Sequence, residues 1–179
     1  MGWRTLRSRV VYENTWIRVR EDAVLRPDGS PGIYGVVEVR SPAVFVVPVT
    51  EAGEIVLVEV DRYTVDRLSL EVPAGGTDGD DPLVAAGREL REETGLAAES
   101  MIDLGSVYSL NGVSDAPGHV VLATGLCLVG GAEQKVEGIS AVRTVPLPDL
   151  LTMIRAGEIT DNESLGALLV ALVHLDRVH

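Results

Sequence analysis

The spacing of hydrophobic and polar positions changes character along this chain. Its first third reads as strands. "WIRVREDAVLRPDGSPGIYGVVEVR" holds two extended runs on either side of "RPDGSPG", where Pro27, Asp28 and Gly29 supply turn chemistry. "AVFVVPV" (43–49) and "EIVLVEV" (54–60) are continuous β-branched runs separated by "TEAGE". Runs of that kind predict strands buried on both faces. "LSLEVPAGG" (68–76) predicts a short strand that breaks into a Pro/Gly loop.

The period then becomes helical. Asp81 and Pro82 predict an N-cap followed by proline at the first helical position. Leu83, Ala86 and Leu90 mark one apolar stripe, and Thr94-Gly95 marks the stop. The predicted helix has roughly 13 residues and a length of about 20 Å. "LGSVYSL", "HVVLATGLCLV" and "ISAVRTVPL" return to strand patterning, and two helices finish the chain. The first, over 147–157, ends at Gly157. The second, over 160–175, opens with Thr160 and Glu163 at capping-box spacing and shows a stripe of Leu165, Leu168, Leu169 and Leu172. Many strands, a helix, more strands and then helices predict an α+β sandwich, with helices flanking a mixed sheet.

Composition narrows the chemistry. Of the 179 residues, 46% are hydrophobic but only 4% aromatic, so Val, Leu and Ala must build the core. The formal net charge is −12. Such a surface repels nucleic-acid backbones and anionic lipid, and no apolar run is long enough to span a membrane. An acidic protein that handles phosphates needs a cation between the two. The single cysteine, Cys127, excludes an internal disulfide and predicts a small buried residue within a strand. His119, His174 and His179 show no zinc-ligand spacing. The N-terminal stretch lacks a signal-peptide pattern, and the expected location is the cytoplasm.

The stretch "RELREETG" (88–95) sets Glu89, Glu92 and Glu93 on one arc of the central helix, with the Leu83–Ala86–Leu90 stripe expected opposite. Like charges at this spacing cost about 0.2–0.5 kcal/mol per pair, and the C-terminal end of a helix disfavours anions. A solvated face with Arg88 paired to Glu92 would account for the pattern on its own. Two features point elsewhere. The cluster follows the acidic glycine-rich loop "PAGGTDGDD", and it ends at a glycine stop. Carboxylate oxygens gathered at a loop-lined mouth suit a hard cation, Mg²⁺ or Mn²⁺.

These residues carry a family resemblance. "GGTDGDDPLVAAGRELREETGL" resembles the Nudix box, G-x5-E-x7-R-E-U-x-E-E-x-G-U, where U is aliphatic. Arg88, Glu89, Leu90, Glu92, Glu93, Gly95 and Leu96 match its second half at every fixed position. The first half departs: Asp80 stands for the upstream Glu, and Gly75 precedes it by five residues, so strict counting puts Ala74 at the glycine position. "LEVPAGG" and "GEITDNESLGALLVAL" resemble segments of the ADP-ribose pyrophosphatase branch, as do the N-terminal strands.

The resemblance implies a Nudix-type α/β/α sandwich over 41–179, preceded by an antiparallel strand extension over 1–40 that forms a homodimer. It also implies hydrolysis of a nucleoside diphosphate linked to a moiety X. Glu89, Glu92 and Glu93 would hold Mg²⁺, with Mn²⁺ as the alternative, and the carbonyl of Ala74 would add a ligand. Arg88 would orient a glutamate through a charge-assisted hydrogen bond. Glu93, Glu89 or a late-loop glutamate, Glu137 before Glu133, would serve the proton transfer. Arg62 and Tyr63 in "VDRYTV" and Gly112 in "SLNGVSD" would line the substrate pocket, although both segments depart from the branch pattern. The competing expectation is a Nudix-fold sensor that binds a nucleotide ligand without turnover.

Overall fold

The computed structural model describes residues 2–134 and 138–178. The backbone forms two compact units. One comprises the chain up to Pro42 together with Tyr108–Pro117, and the other comprises Ala43–Val107 together with the chain from Gly118 onward.

The smaller unit is a meander of β1 (Arg4–Glu13), β2 (Ile17–Leu25) and β3 (Pro31–Val39), each antiparallel to the next. The two-residue strand β9 (Ser114–Asp115) lies parallel to β3. Its turns follow the predicted chemistry. Asp28 Oδ1 accepts from the backbone N–H and the hydroxyl of Ser30, and Gly29 adopts φ 85°. Between β1 and β2, Asn14 Oδ1 accepts from the N–H groups of Trp16 and Ile17. Strand β1 is exposed along its whole length.

The larger unit holds β4 (Ala43–Pro48), β5 (Ile55–Arg62), β6 (Arg67–Glu71), β7 (Ala74–Gly76), β8 (Leu96–Tyr108), β10 (Pro117–Leu128) and β11 (Ile139–Val145). It also holds α1 (Pro82–Thr94), α2 (Leu147–Ala156) and α3 (Asn162–His174). A mixed sheet runs β7-β4-β10-β8, with β10 parallel to β4 and β7 antiparallel to it. A second, antiparallel sheet runs β11-β5-β6.

The continuous apolar runs explain the layering. Successive side chains of a strand point to opposite faces. Val44, Val46, Val121 and Ala123 therefore pack with Ala85, Ala86 and Leu90 of α1. Phe45, Val47, Val120 and Leu122 pack with Leu150 of α2 and with Leu168, Ala171 and Leu172 of α3. Helices thus cover both faces of the mixed sheet, as expected of the α/β/α sandwich. Among the described residues no helix is long and apolar enough to cross a membrane.

Three sequence expectations need correction. The buried side of α1 does not run through Leu83, which is exposed, but through Ala86, Glu89, Leu90 and Glu93. Those positions are spaced i, i+3, i+4 and i+7, the spacing of a core stripe, so two of the three glutamates share the buried face instead of opposing it. In α3 the cap is Asp161, whose side chain accepts from Ser164 N at 2.7 Å; Thr160 Oγ1 receives Arg67 Nη2 instead. The α3 stripe is accordingly Ser164, Ala167, Leu168, Ala171 and Leu172, leaving Leu169 exposed. Cys127 is exposed, because the pairing of β10 with β4 ends at Ala123 and the later residues of the strand run past that neighbour.

Leu150 is fully buried in the larger core. Leu150→Ala should lower the unfolding free energy by about 2–5 kcal/mol, read from the urea midpoint.

Candidate active site

The site is built on α1. Asp81 Oδ1 accepts from Leu83 N at 2.9 Å to start the helix, and Gly95 ends it at φ 75°, a left-handed conformation natural to glycine. Between them the helix carries Arg88 and the three glutamates. Glu89 is 7% exposed and Glu93 6% exposed, while Glu92 is half-buried. Two buried carboxylates on one stripe require compensation.

Backbone and arginine supply it. The N–H of Ala74 donates to Glu93 Oε2 at 3.1 Å. Arg88 Nη1 donates to Glu89 Oε1 at 2.6 Å and to Glu92 Oε2 at 3.4 Å. Its Nη2 donates to the carbonyl of Gly76 at 2.7 Å and lies 3.7 Å from Asp78. Burial works against the charge of Arg88, yet Glu89, Glu92 and Asp78 together raise its pKa above the usual guanidinium value. One side chain thus ties two carboxylates to the end of β7 and to the loop after it. The backbone there has no room to spare: a Cβ on Gly75 would lie 2.2 Å from Glu89 Cδ. Gly75, rather than Ala74, is the position in β7 whose missing side chain leaves room for the Glu89 carboxylate.

The donor set fits a hard divalent cation. Every side chain on this part of the helix that offers a ligand atom offers carboxylate oxygen, and the loop adds backbone carbonyls. As they stand, no three His, Cys, Asp or Glu side chains among the described residues form a group that could hold a metal ion. Arg88 pairs with both Glu89 and Glu92, and Arg91 Nη2 lies 3.6 Å from Glu92 Oε1.

A cleft of about 330 Å³ lies beside the β5–β6 hairpin, lined in part by Arg62, Arg67, Ser69, Glu71, Asp161 and Asn162. Arg62 Nε bonds Glu71 Oε1 at 3.0 Å and Oε2 at 3.2 Å. These bonds raise the Arg62 pKa above its usual value, and the charges of Glu71, Asp161 and Glu93 add to the effect. Segment 71–74 links the cleft to the helix. Glu71 faces Arg62, Val72 N donates to Ser164 Oγ at 3.0 Å, and Ala74 N serves Glu93.

The sequence-predicted residues divide accordingly. Arg88, Glu89, Glu92, Glu93 and Ala74 come together, whereas Arg62 is bonded to Glu71 in the neighbouring cleft. Tyr63 is 96% exposed in the hairpin turn. Gly112 lies in the smaller unit, where its carbonyl accepts from the Tyr34 hydroxyl at 2.8 Å. Glu137 falls outside the described residues, while the N–H of Glu133 donates to the Glu92 carbonyl at 2.7 Å. Sequence reasoning missed Glu71, Asp78 and Gln134. Glu71 was legible as the acid in "LEVPAGG" and Asp78 as one of the acids of "PAGGTDGDD", whereas Gln134 carries no local signal.

The chain is similar to known proteins in sequence and in fold. The Nudix domain pattern matches residues 39–165, and the nucleoside diphosphate sugar hydrolase N-terminal domain matches residues 3–37. A CMP-5'-(N-acetyl-N-hydroxy-3-aminopropyl)phosphonate hydrolase of Streptomyces rubellomurinus is 31% identical, over 95% of this chain and 82% of its own. An ADP-ribose pyrophosphatase of Mycobacterium tuberculosis is 32% identical, over 93% of this chain and 82% of its own. The crystal structure of an ADP compounds hydrolase shares the fold at a TM-score of 0.86 and 19% identity, covering 99% of this chain and 98% of that one. The chain belongs to the Nudix family. Within it, the chain is a Nudix pyrophosphohydrolase.

Gly75→Ala should force Glu89 out of its position. Hydrolysis should fall at least about tenfold, given how steeply rate depends on placement, while circular dichroism shows an intact fold.

Proposed function

We propose that this enzyme cleaves the pyrophosphate bond of a nucleoside diphosphate linked to a sugar or similar group X, in a reaction that depends on Mg²⁺. The products are a nucleoside monophosphate and phosphorylated X. The observation that carries this reading is the pair of buried carboxylates, Glu89 and Glu93, held against the Ala74–Gly75 backbone, with Glu92 joined to Glu89 through Arg88. The substrate class follows from two supports. The two relatives are named for ADP-ribose and for a CMP-linked phosphonate, so a nucleotide is common to both. The N-terminal match is to a domain of nucleoside diphosphate sugar hydrolases.

Glu89, Glu92, Glu93 and the Ala74 carbonyl would hold the metal. When bound, a divalent cation offsets phosphate charge and lowers the pKa of a water in its coordination sphere. The chain's own residues do the rest. Arg88 keeps Glu89 and Glu92 aimed by bonding both and anchors itself on the Gly76 carbonyl. The Ala74 N–H fixes Glu93 Oε2 and so orients a carboxylate that would take up the proton of the attacking water; Glu137 is the other candidate for that role. Arg62, already neutralised by Glu71, offers its remaining N–H groups to the substrate without adding net charge. Tyr63 and Gly112 complete the proposed substrate contacts.

The N-terminal meander is the dimer-forming piece of this reading. Strand β1 is an edge strand exposed throughout, and Trp3, Leu6, Val10, Val11 and Tyr12 present apolar surface beside or along it. Light scattering on the intact protein reads the resulting mass.

The deciding experiment is a panel of nucleotide sugars with Mg²⁺ and product identification. Glu93→Gln should lower kcat by roughly 10²–10⁴-fold with the fold intact. Calorimetric ligand binding with no product from any member, and no difference between Glu93→Gln and wild type, would replace the hydrolase with a sensor.

A further inference from the structure

The C-terminal end of α1 singles out a residue with no role so far. A helix leaves its last four carbonyls without an intrahelical donor. Gly95 N serves the Arg91 carbonyl at 2.7 Å. The next two carbonyls, those of Glu92 and Glu93, are served by the loop that follows β10. Glu133 N donates to the Glu92 carbonyl at 2.7 Å, and Gln134 Nε2 donates to the Glu93 carbonyl at 3.1 Å. The same loop is moored to the glycine stop, since Val129 N and Gly130 N both donate to the Gly95 carbonyl, at 2.9 and 3.0 Å. Gly130 and Gly131, at φ 76° and 79°, turn the chain back across the helix end.

The carbonyls so held belong to the two residues whose side chains complete the acidic cluster. We infer that Gln134 is a positioning residue of this hydrolase: its side-chain amide clamps the Glu93 carbonyl and holds the last turn of α1 where Glu93 meets the Ala74 N–H. Two physical effects act together. Unclamped terminal turns fray, and fraying here would move the Cα atoms that carry Glu92 and Glu93. Helix C-termini also carry partial negative charge, and N–H donors offset it beside three carboxylates. The amide is the feature that matters. A carboxylate at 134 would set an acceptor against an acceptor and add a fourth acid.

For its kinetic readout the inference rests on the function proposed above; its structural readout is independent of it. The test compares Gln134→Met, which keeps the bulk and removes the donor, with Gln134→Glu and Gln134→Lys, the last restoring an N–H donor. In Gln134→Met, kcat should fall about five- to tenfold, the scale of one lost hydrogen bond, with KM unchanged. Gln134→Glu should fall further, and Gln134→Lys should recover at least half of the loss. Hydrogen exchange on the metal-free protein should show faster exchange confined to the amides of residues 92–95. An unchanged kcat, a loss carried by KM alone, no recovery in Gln134→Lys, or faster exchange spread over the whole chain would overturn the inference. If the wild-type protein turns over no nucleotide sugar, the proposed substrate fails, and local exchange at 92–95 still decides the clamp.

Discussion

Two carboxylates buried side by side on the core stripe of one helix make a state that a protein tolerates only when something meets their charge. Here Arg88 meets Glu89, bonding it and the half-buried Glu92 while reaching the Gly76 carbonyl and Asp78, and the Ala74 N–H meets Glu93. Without that guanidinium, the Glu89 carboxylate would face the Gly75 backbone with its largest compensating charge removed. A charge-assisted, multi-bond arginine is well suited to the task, because its planar fork serves several oxygens at once. The same bonds draw the loop after β7 against α1, so the electrostatic repair also builds the mouth of the site.

The layered core makes this arrangement rigid. Val44 and Val46 lie under α1, whereas Phe45 and Val47 lie under α2 and α3, so one short strand ties together both helical layers. Buried Ser164 at the start of α3 accepts from Val72 N, two residues before the Ala74 N–H that serves Glu93. Packing on the far side of the sheet therefore bears on the position of the Glu93 carboxylate. The Arg62–Glu71 pair stands at the junction, where the charges of Asp161, the cap of α3, and of Glu93 on α1 also act on Arg62.

Much of the fold was legible because its signals are local. Pro82 after Asp81, glycine after Thr94, and the β-branched runs at 43–49 and 54–60 each act through neighbouring residues, and the structure follows them. Errors arose where a pattern permitted two rotations. Leu83–Ala86–Leu90 and Ala86–Glu89–Leu90–Glu93 are both valid helical stripes, and hydrophobicity favoured the first. Burial favoured the second, because Arg88 and the Ala74 N–H make charged groups acceptable there. Likewise, two adjacent candidates, Thr160 and Asp161, compete for one cap, and the partner offered by Arg67 settles which is used. Cys127 misled for a related reason, since a strand pattern does not say where the neighbouring strand stops.

By itself the sequence determined the order of strands and helices, the acidic character, and the spacing that puts Arg88, Glu89, Glu92 and Glu93 on one helix. All of these are set by periodicity and by contacts a few residues long. Only the tertiary structure decided which glutamates are buried, that Gly75 must leave space for Glu89, that Asp78 joins Arg88, and that Gln134 reaches the Glu93 carbonyl across 41 positions of chain. Those choices depend on which distant backbone groups packing brings within hydrogen-bond range, and no local pattern encodes such distances.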